Sequence, residues 1–460
     1  MNYFVATTGN DDADGKEGAP WLTVQHAADH AMAGDVVFFH DGIWTVTSQV
    51  LFGTHSGYAD NEIVFRAITP RTVKWKIDGL GGSGAIEVDT AYITFMDIIV
   101  QGDTSFIRAW SLVRVCGNNF TAIDCEFYDT VGHAMHVWYA SDPTFIRCSF
   151  HMEVKRSADS VREGLAIRAY GHVRIFDCVA YHNSHSGLSL NQCGSAEIRG
   201  CKVYHNASHG IGMGRLGYDI PIAHNIVVDD CDVYEAGWWD PDATTKDGIF
   251  LNGGLVNVEI TRCRAYRNNG PGFGFIQQLL GPVTCSHNVL WGNYTKGLND
   301  WGDMALTQYG EDHDPQIRFR NNIVVHGPID YGPEVTLGDG WKIPESPDWN
   351  HNLYFDATPT SPEKMFRNGR NYDSYASYAA VHEPNSIFSQ DPLFRDADNG
   401  DFHLLPGSPC IGAGVDLGMG SDLGAYPYTK PLLDIDAIVA DLDAATALIA
   451  NAQAKLALLE

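Results

Sequence analysis

Basic residues are scarce in this chain. Thirty Lys and Arg stand against 57 Asp and Glu, a net charge of −27, and such a surface repels phosphate backbones and anionic membranes. Nucleic acid is thereby excluded as a general partner, and an anionic substrate would need a local basic patch. Long apolar runs are missing as well. Nowhere do eighteen or so apolar residues follow one another, and the opening Met1-Asn2-Tyr3-Phe4-Val5-Ala6 has no basic stretch before an apolar run, so neither a membrane span nor a signal peptide is read here. The ten cysteines contain no Cys-x-x-C pair and no compact Cys/His cluster, which argues against a structural metal and leaves disulfides behind buried thiols. Most of the chain also lacks the 3.6-residue period of helical repeats. With 44% hydrophobic and 19% charged residues it must nevertheless fold around a large core.

What is present is a repeat. A motif of apolar, two variable, Cys, variable, apolar, aromatic runs through Cys125, Cys148, Cys178, Cys201, Cys231 and Cys263, continues with Asn288, Asn322 and Asn352 in place of Cys, and can be traced back to Asp97. The steps between these positions fall inside the roughly 20–50-residue range of solenoids. Each unit carries short β-branched segments of alternating polarity divided by Asn and Gly. This predicts an all-β, single-stranded right-handed parallel β-helix whose coils lie about 4.8 Å apart, so that equivalent residues stack in ladders.

Four regions follow. Residues 1–80 read as an N-terminal cap with the first strands, in which 21–32 form a short amphipathic helix over the open end of the solenoid. Residues 81–355 are the coils, and 356–430 an irregular β region. In 431–460, Ile438, Leu442, Ala445, Ile449, Ala452, Leu456 and Leu459 make a heptad seam. It is either a helix folded back on its own chain or a parallel coiled coil joining a homotrimer.

A second column predicts a groove. Strands of the form x-Gly-apolar-x-apolar give His133-Ala134-Met135-His136, Glu163-Gly164-Leu165-Ala166-Ile167-Arg168, Ser186 to Asn191, His209 to Arg215, Asp247 to Asn252, Pro271 to Gln277 and Asp303 to Gln308. The apolar pair points inward and the residue between them outward, and that residue is often small: Ala166, Ser189, Gly212, Gly274, Ala305. Glu163, His209, Asp247 and Asp303 would line one edge of a shallow trough, with Arg168, Asn191, Arg215, Asn252 and Gln277 along the other. Trp238, Trp239, Trp291, Trp301 and Tyr309 offer flat faces to sugar rings. Arg156, Arg162, Arg168, Arg199 and Arg215 supply the basic patch, since guanidinium forks suit carboxylates. His182, His205 and His224 read as structural histidines in turns.

Two chemistries fit such a trough. For β-elimination of a uronate, Arg168 or Arg215 would hold the carboxylate while His209 or Lys246 removes the neighbouring proton. For hydrolysis, Asp247 with Glu163, Asp240 or Asp242 would flank the bond. The non-enzymatic alternative is a glycan-binding or purely structural spike.

The stretches Tyr3–Asp11, Pro20–Ala28 and Gly34–Val37, with Gly407-Ser408-Pro409-Cys410 to Tyr426 at the other end, resemble the right-handed parallel β-helix superfamily of pectate-lyase-like proteins over about nine-tenths of the chain. The superfamily holds lyases, hydrolases, epimerases and phage tailspikes, so the resemblance implies the fold and a polysaccharide-degrading role, extracellular or virion-associated, more than one activity. Asp247-Gly248-Ile249 with the segment to Gly270 is similar to the part of family-nine pectate lyases that binds calcium and carries a lysine base. Through it the resemblance implies Ca2+ held by Asp247, with Asp240 and Asp242. Two carboxylates of the family's run are replaced by Asn268 and Asn269, and no lysine follows Asp247-Gly248 where the base is expected. The segment Gln308–Pro315 is loosely similar to alginate-epimerase elements in a different order and is read as a loop.

Overall fold

The computed structural model describes residues 1–80, 84–103, 110–130, 132–152, 163–214, 223–238, 246–276, 281–293, 304–307, 317–326, 335–337, 349–356, 365–367, 370–372, 377 and 383–429. Three parallel sheets of 13, 11 and 13 strands run along one axis, each coil contributing one strand to each sheet. A typical coil passes from Leu165–Ala169 in the second sheet to His172–Phe176 in the first and Val179–Tyr181 in the third, then returns to the second at Leu188–Gln192. The right-handed parallel β-helix read from the repeat is the observed architecture. The sheets are already continuous from Asn2–Val5, which pairs with Val36–Phe39 in register.

Along the coils whose side chains are described, apolar residues alternate inward and fill the bore with an aromatic and aliphatic column. The N-terminal helix is shorter than predicted, Val24–His30, because Thr23 caps it by accepting the N–H of His26 at 3.1 Å. It packs beside Val50–Phe52, the edge strand of the second sheet. The Gln25 amide bonds both the N–H and the C=O of Leu51, at 2.8 and 3.0 Å, so one side chain satisfies an exposed strand edge.

The cysteine column is a buried ladder, and every cysteine is a free thiol. Burial pushes the Cys201, Cys231 and Cys263 thiols well above their ordinary range. Beyond Cys263 the same position becomes an amide ladder. Asn288 Nδ2 donates to Ile260 O and to Asn322 Oδ1, both at 2.9 Å, and the chain of amides ends on Glu383. The start of the column is corrected by one residue. Ile98, not Asp97, pairs in register with Cys125, and Asp97 is the corner residue before it, with φ of 60°.

That corner is uniform. From Ile123 onward the first and third sheets are joined by two residues only, as in Asp124-Cys125, Asp177-Cys178 and Asn321-Asn322. The first of the two is left-handed, with φ between 51° and 63° from Asp124 to His351, a conformation that Asp, Asn and Gly tolerate best. From Ile123 onward the connections that differ in length are those at the two margins of the second sheet, from the pair Tyr170-Gly171 to the span 235–248. The hairpin Phe394–Asp396 and Asp401–Leu404, with Cys410, Leu423 and Ala425, covers the third sheet over Tyr266, Val289, Ile323 and Leu353. His224 lies within the strand Ala223–Asp229, not in a turn. The segment 431–460 lies outside the described residues.

Candidate active site

The second sheet carries the predicted column of outward residues. Its outward ladder, fixed by strand register, runs Glu87, Arg114, His136, Ala166, Ser189, Gly212, Phe250, Gly274. At about 4.8 Å per coil, His136 and Phe250 stand roughly 19 Å apart with three small residues between them. The ladder three residues earlier runs His133, Glu163, Ser186, His209, Asp247. Two His-carboxylate stations therefore lie in one line, three coils apart.

At the first station Glu163 is buried between histidines. Its carboxylate lies 2.7 Å from His133 Nδ1 and 3.6 Å from His185 Nδ1. His133 Nδ1 is also 3.1 Å from the Glu163 backbone N, and one nitrogen serves one partner at a time: a bare Nδ1 accepts the N–H, an Nδ1 that carries a proton donates to the carboxylate. Burial alone would raise the Glu163 pKa, but the hydrogen bond to His133 and the charges of both histidines bring it below the usual carboxylate range. Beside it, Arg168 and Arg114 lie over the Trp138 ring at 5.0 and 5.9 Å. Arg114 is paired with Glu87 at 2.7 Å. Arg168 has no carboxylate partner among the described residues.

The second station has the same backbone geometry. The Asp247 N–H donates to His209 Nδ1 at 3.1 Å, and His209 stacks on Phe250 with centroids 4.0 Å apart. The carboxyl, however, is 3.8 Å from that imidazole, fully buried, and its Oδ1 has no partner. It lies over Gly274, where a Cβ would collide with it, so the glycine is required. Desolvation pushes Asp247 up to about 8 against the opposing charge of Lys246, and burial, Lys246 and His185 push His209 down to about 3. Near neutral pH both groups are uncharged.

The predicted set thus divides. Arg168 and Glu163 belong to the first station, and His209, Asp247 and Lys246 to the second. Asn191 donates to Ser189 Oγ at 3.2 Å beside the floor. Asn252 Oδ1 accepts the N–H of Gly253 at 2.9 Å, a local turn. Trp238 is 55% exposed but stacks on His205 with centroids 4.5 Å apart, on the margin between the third and second sheets. Arg215, Gln277, Trp239, Tyr309, Asp240, Asp242, Asp303 and Trp301 lie outside the described residues. Sequence reading missed His136, Arg114, Trp138, His133 and His185 as site residues. The strand Ser111–Val115 lacks the glycine signature, although Val113 and Val115 alternate around Arg114 as the others do.

Calcium prefers six to eight oxygens, several of them carboxylate. Among the described residues only Asp247 of the implied ligands is present. Asn268 Oδ1 accepts the Ala236 N–H at 2.9 Å, its Nδ2 donates to Asn293 at 2.8 Å, and Asn269 Nδ2 donates to Gly237 O at 2.6 Å. The amides that replace the family's carboxylates serve the fold. No helix among them is long and apolar enough to cross a membrane.

Comparison with known proteins agrees with this architecture. The family model described as Pel9A-like, right handed beta helix region, matches residues 3–214. The uncharacterized protein YwoF of Bacillus subtilis (strain 168) is 29% identical over 200 residues, and the match spans 42% of this chain but only 38% of that relative's length. Among solved structures, pectate lyase Pel9A is 17% identical with a TM-score of 0.53, over 93% of this chain and 96% of that one. The A-module of Azotobacter vinelandii mannuronan C-5 epimerase AlgE6 is 15% identical with a TM-score of 0.55, over 79% and 91%. A rhamnogalacturonan lyase is 15% identical with a TM-score of 0.51, over 76% and 87%. At such identities the likeness to the solved structures is one of fold.

Proposed function

From the right-handed parallel β-helix fold and the match of residues 3–214 to the Pel9A-like beta helix region, we propose that the chain degrades a polysaccharide lying along the outward face of the second sheet, as a lyase cleaving uronate-containing chains by β-elimination. The observation that carries the reading is Arg168, a guanidinium held on Trp138 without a carboxylate partner among the described residues, in a protein of net charge −27. A fixed cation on an acidic protein, beside a floor of small residues, suits a sugar carboxylate whose charge must be neutralised before the adjacent carbon gives up its proton. The comparison proteins that act on uronate polymers are consistent with this choice. A substrate of this kind places the protein outside the cell or on a virion, and the heptad seam in 431–460 is the proposed route to a homotrimer.

Hydrolysis by Glu163 with Asp247 is the weaker reading. The two positions are three coils, roughly 14 Å, apart on the ladder, beyond the 6.5–9.5 Å or so of inverting pairs. The test is a panel of anionic and neutral polysaccharides, with and without chelator, read for unsaturated-uronate absorbance and for new reducing ends. Unsaturated product that persists in chelator is expected. Reducing ends alone would mean hydrolysis, and neither signal a binding or structural spike.

A further inference from the structure

We propose that His136 is the proton acceptor of this elimination, working on a sugar whose carboxylate is seated on Arg168. The inference rests on the lyase reading and names a residue for it.

His136 occupies the outward ladder between Arg114 and Ala166, one coil from Arg168. Its ring centroid lies 5.1 Å from that of His133 and 5.1 Å from that of Trp138, which it meets edge to face and which also carries both guanidinium groups. The other imidazoles of this face are engaged. His133 and His209 meet backbone N–H groups at 3.1 Å, and His185 meets Ser186 Oγ at 3.2 Å. His136 alone of these has no hydrogen bond on either nitrogen among the described residues, so its lone pair is available to a substrate. A general base needs that availability before it needs any particular pKa.

The surrounding charges explain why the base waits for its substrate. Burial lowers the His136 pKa first, then the charges of His133, Arg168 and Arg114, with only Glu163 opposing, to about 3. The free imidazole is thus unprotonated across the physiological range but weakly basic. A bound carboxylate offsets the Arg168 charge and stabilises the imidazolium that proton transfer creates, so basicity rises when the correct ligand arrives. In the step, the lone pair of His136 takes the hydrogen from the carbon beside the carboxylate. The electrons of that C–H bond form the new carbon–carbon double bond, and the glycosidic C–O bond breaks with its pair passing to oxygen. That oxygen takes a proton from water, and His136 returns its own to solvent. One unsaturated end and one reducing end result, with no other reactant.

The test compares wild-type, His136→Gln and His136→Ala protein on the polyuronate that gives unsaturated product. Loss of about 100-fold or more in kcat is expected for both variants, with KM little changed, and free imidazole should restore turnover to His136→Ala. In the wild type the acid limb of kcat should lie at higher pH than that of kcat/KM, because the base must be unprotonated and only the complex carries the neutralising carboxylate. In Arg168→Gln the kcat/KM limb should move to higher pH, since a cation that depresses His136 is gone. Variants that retain kcat within a few-fold, or limbs that coincide and ignore Arg168, would overturn the role of His136 and leave the lyase reading standing. A variant that melts early is judged by the wild-type limbs and the Arg168→Gln shift. Wild-type protein that eliminates no polyuronate overturns both.

Discussion

The stations at Glu163 and Asp247 share one backbone arrangement and opposite electrostatics. In each, a carboxylic residue gives its N–H to the imidazole one coil earlier at 3.1 Å, and each side chain is buried. Glu163 reaches two imidazoles and is held ionised. Asp247, one methylene shorter, stops 3.8 Å from its imidazole, leaves Oδ1 unpartnered and is held neutral up to about 8. Ladder position does not decide charge here. Reach to a cationic partner does, because burial penalises both carboxylates and only a close partner offsets the penalty.

The largest expected effect comes from removing the titration of Asp247. Its folded pKa is raised above the unfolded value, so the folded state keeps a proton that the unfolded chain releases, and wild-type stability falls as pH climbs from about 4 to 8. Asp247→Asn should abolish that fall, gaining on the order of 4 kcal/mol over wild type between pH 4 and 8. Urea unfolding at the two ends of the window measures it, and parallel curves would refute the assignment. His133→Ala should do the reverse at the other station, stranding the Glu163 carboxylate at a cost of about 3 kcal/mol near neutral pH. That loss should shrink as pH falls and Glu163 takes up a proton, and differential scanning calorimetry across pH reads it. Arg168→Gln should lower kcat/KM on a uronate polymer by about 100-fold with the melting temperature unchanged; equal loss on a neutral glycan would disconnect Arg168 from the carboxylate. Ser189→Leu, on the floor between the stations, should raise KM by roughly tenfold through steric exclusion alone, with a milder effect on short oligomers; initial rates against chain length settle it.

The scaffold was legible because ladders force recurrence: the same corner needs a left-handed residue and then a small buried one, so Cys125 through Cys263 declare themselves. The column slipped only at Asp97, where no cysteine marks the position and Ile98 reads as an ordinary strand residue. The outward column was legible where glycine precedes the strand, and dim where it does not, which hid Arg114. His136 stood in a quoted strand, but its importance depends on which imidazoles find other partners, and that is settled between coils. Asp247 stood out in sequence as a carboxylate beside glycine; its neutrality follows from a distance no spacing encodes.

From Ile123 onward, the two-residue corner between the first and third sheets makes the solenoid a chassis with a single variable side. An insertion there would have to break a left-handed turn stacked against its neighbours in successive coils, whereas the margins of the second sheet already differ in length from coil to coil. Diversification is therefore channelled to the walls of one groove. Loops could be exchanged at those walls like cassettes, giving a family of variants that share a solenoid and differ in the polymer they grip.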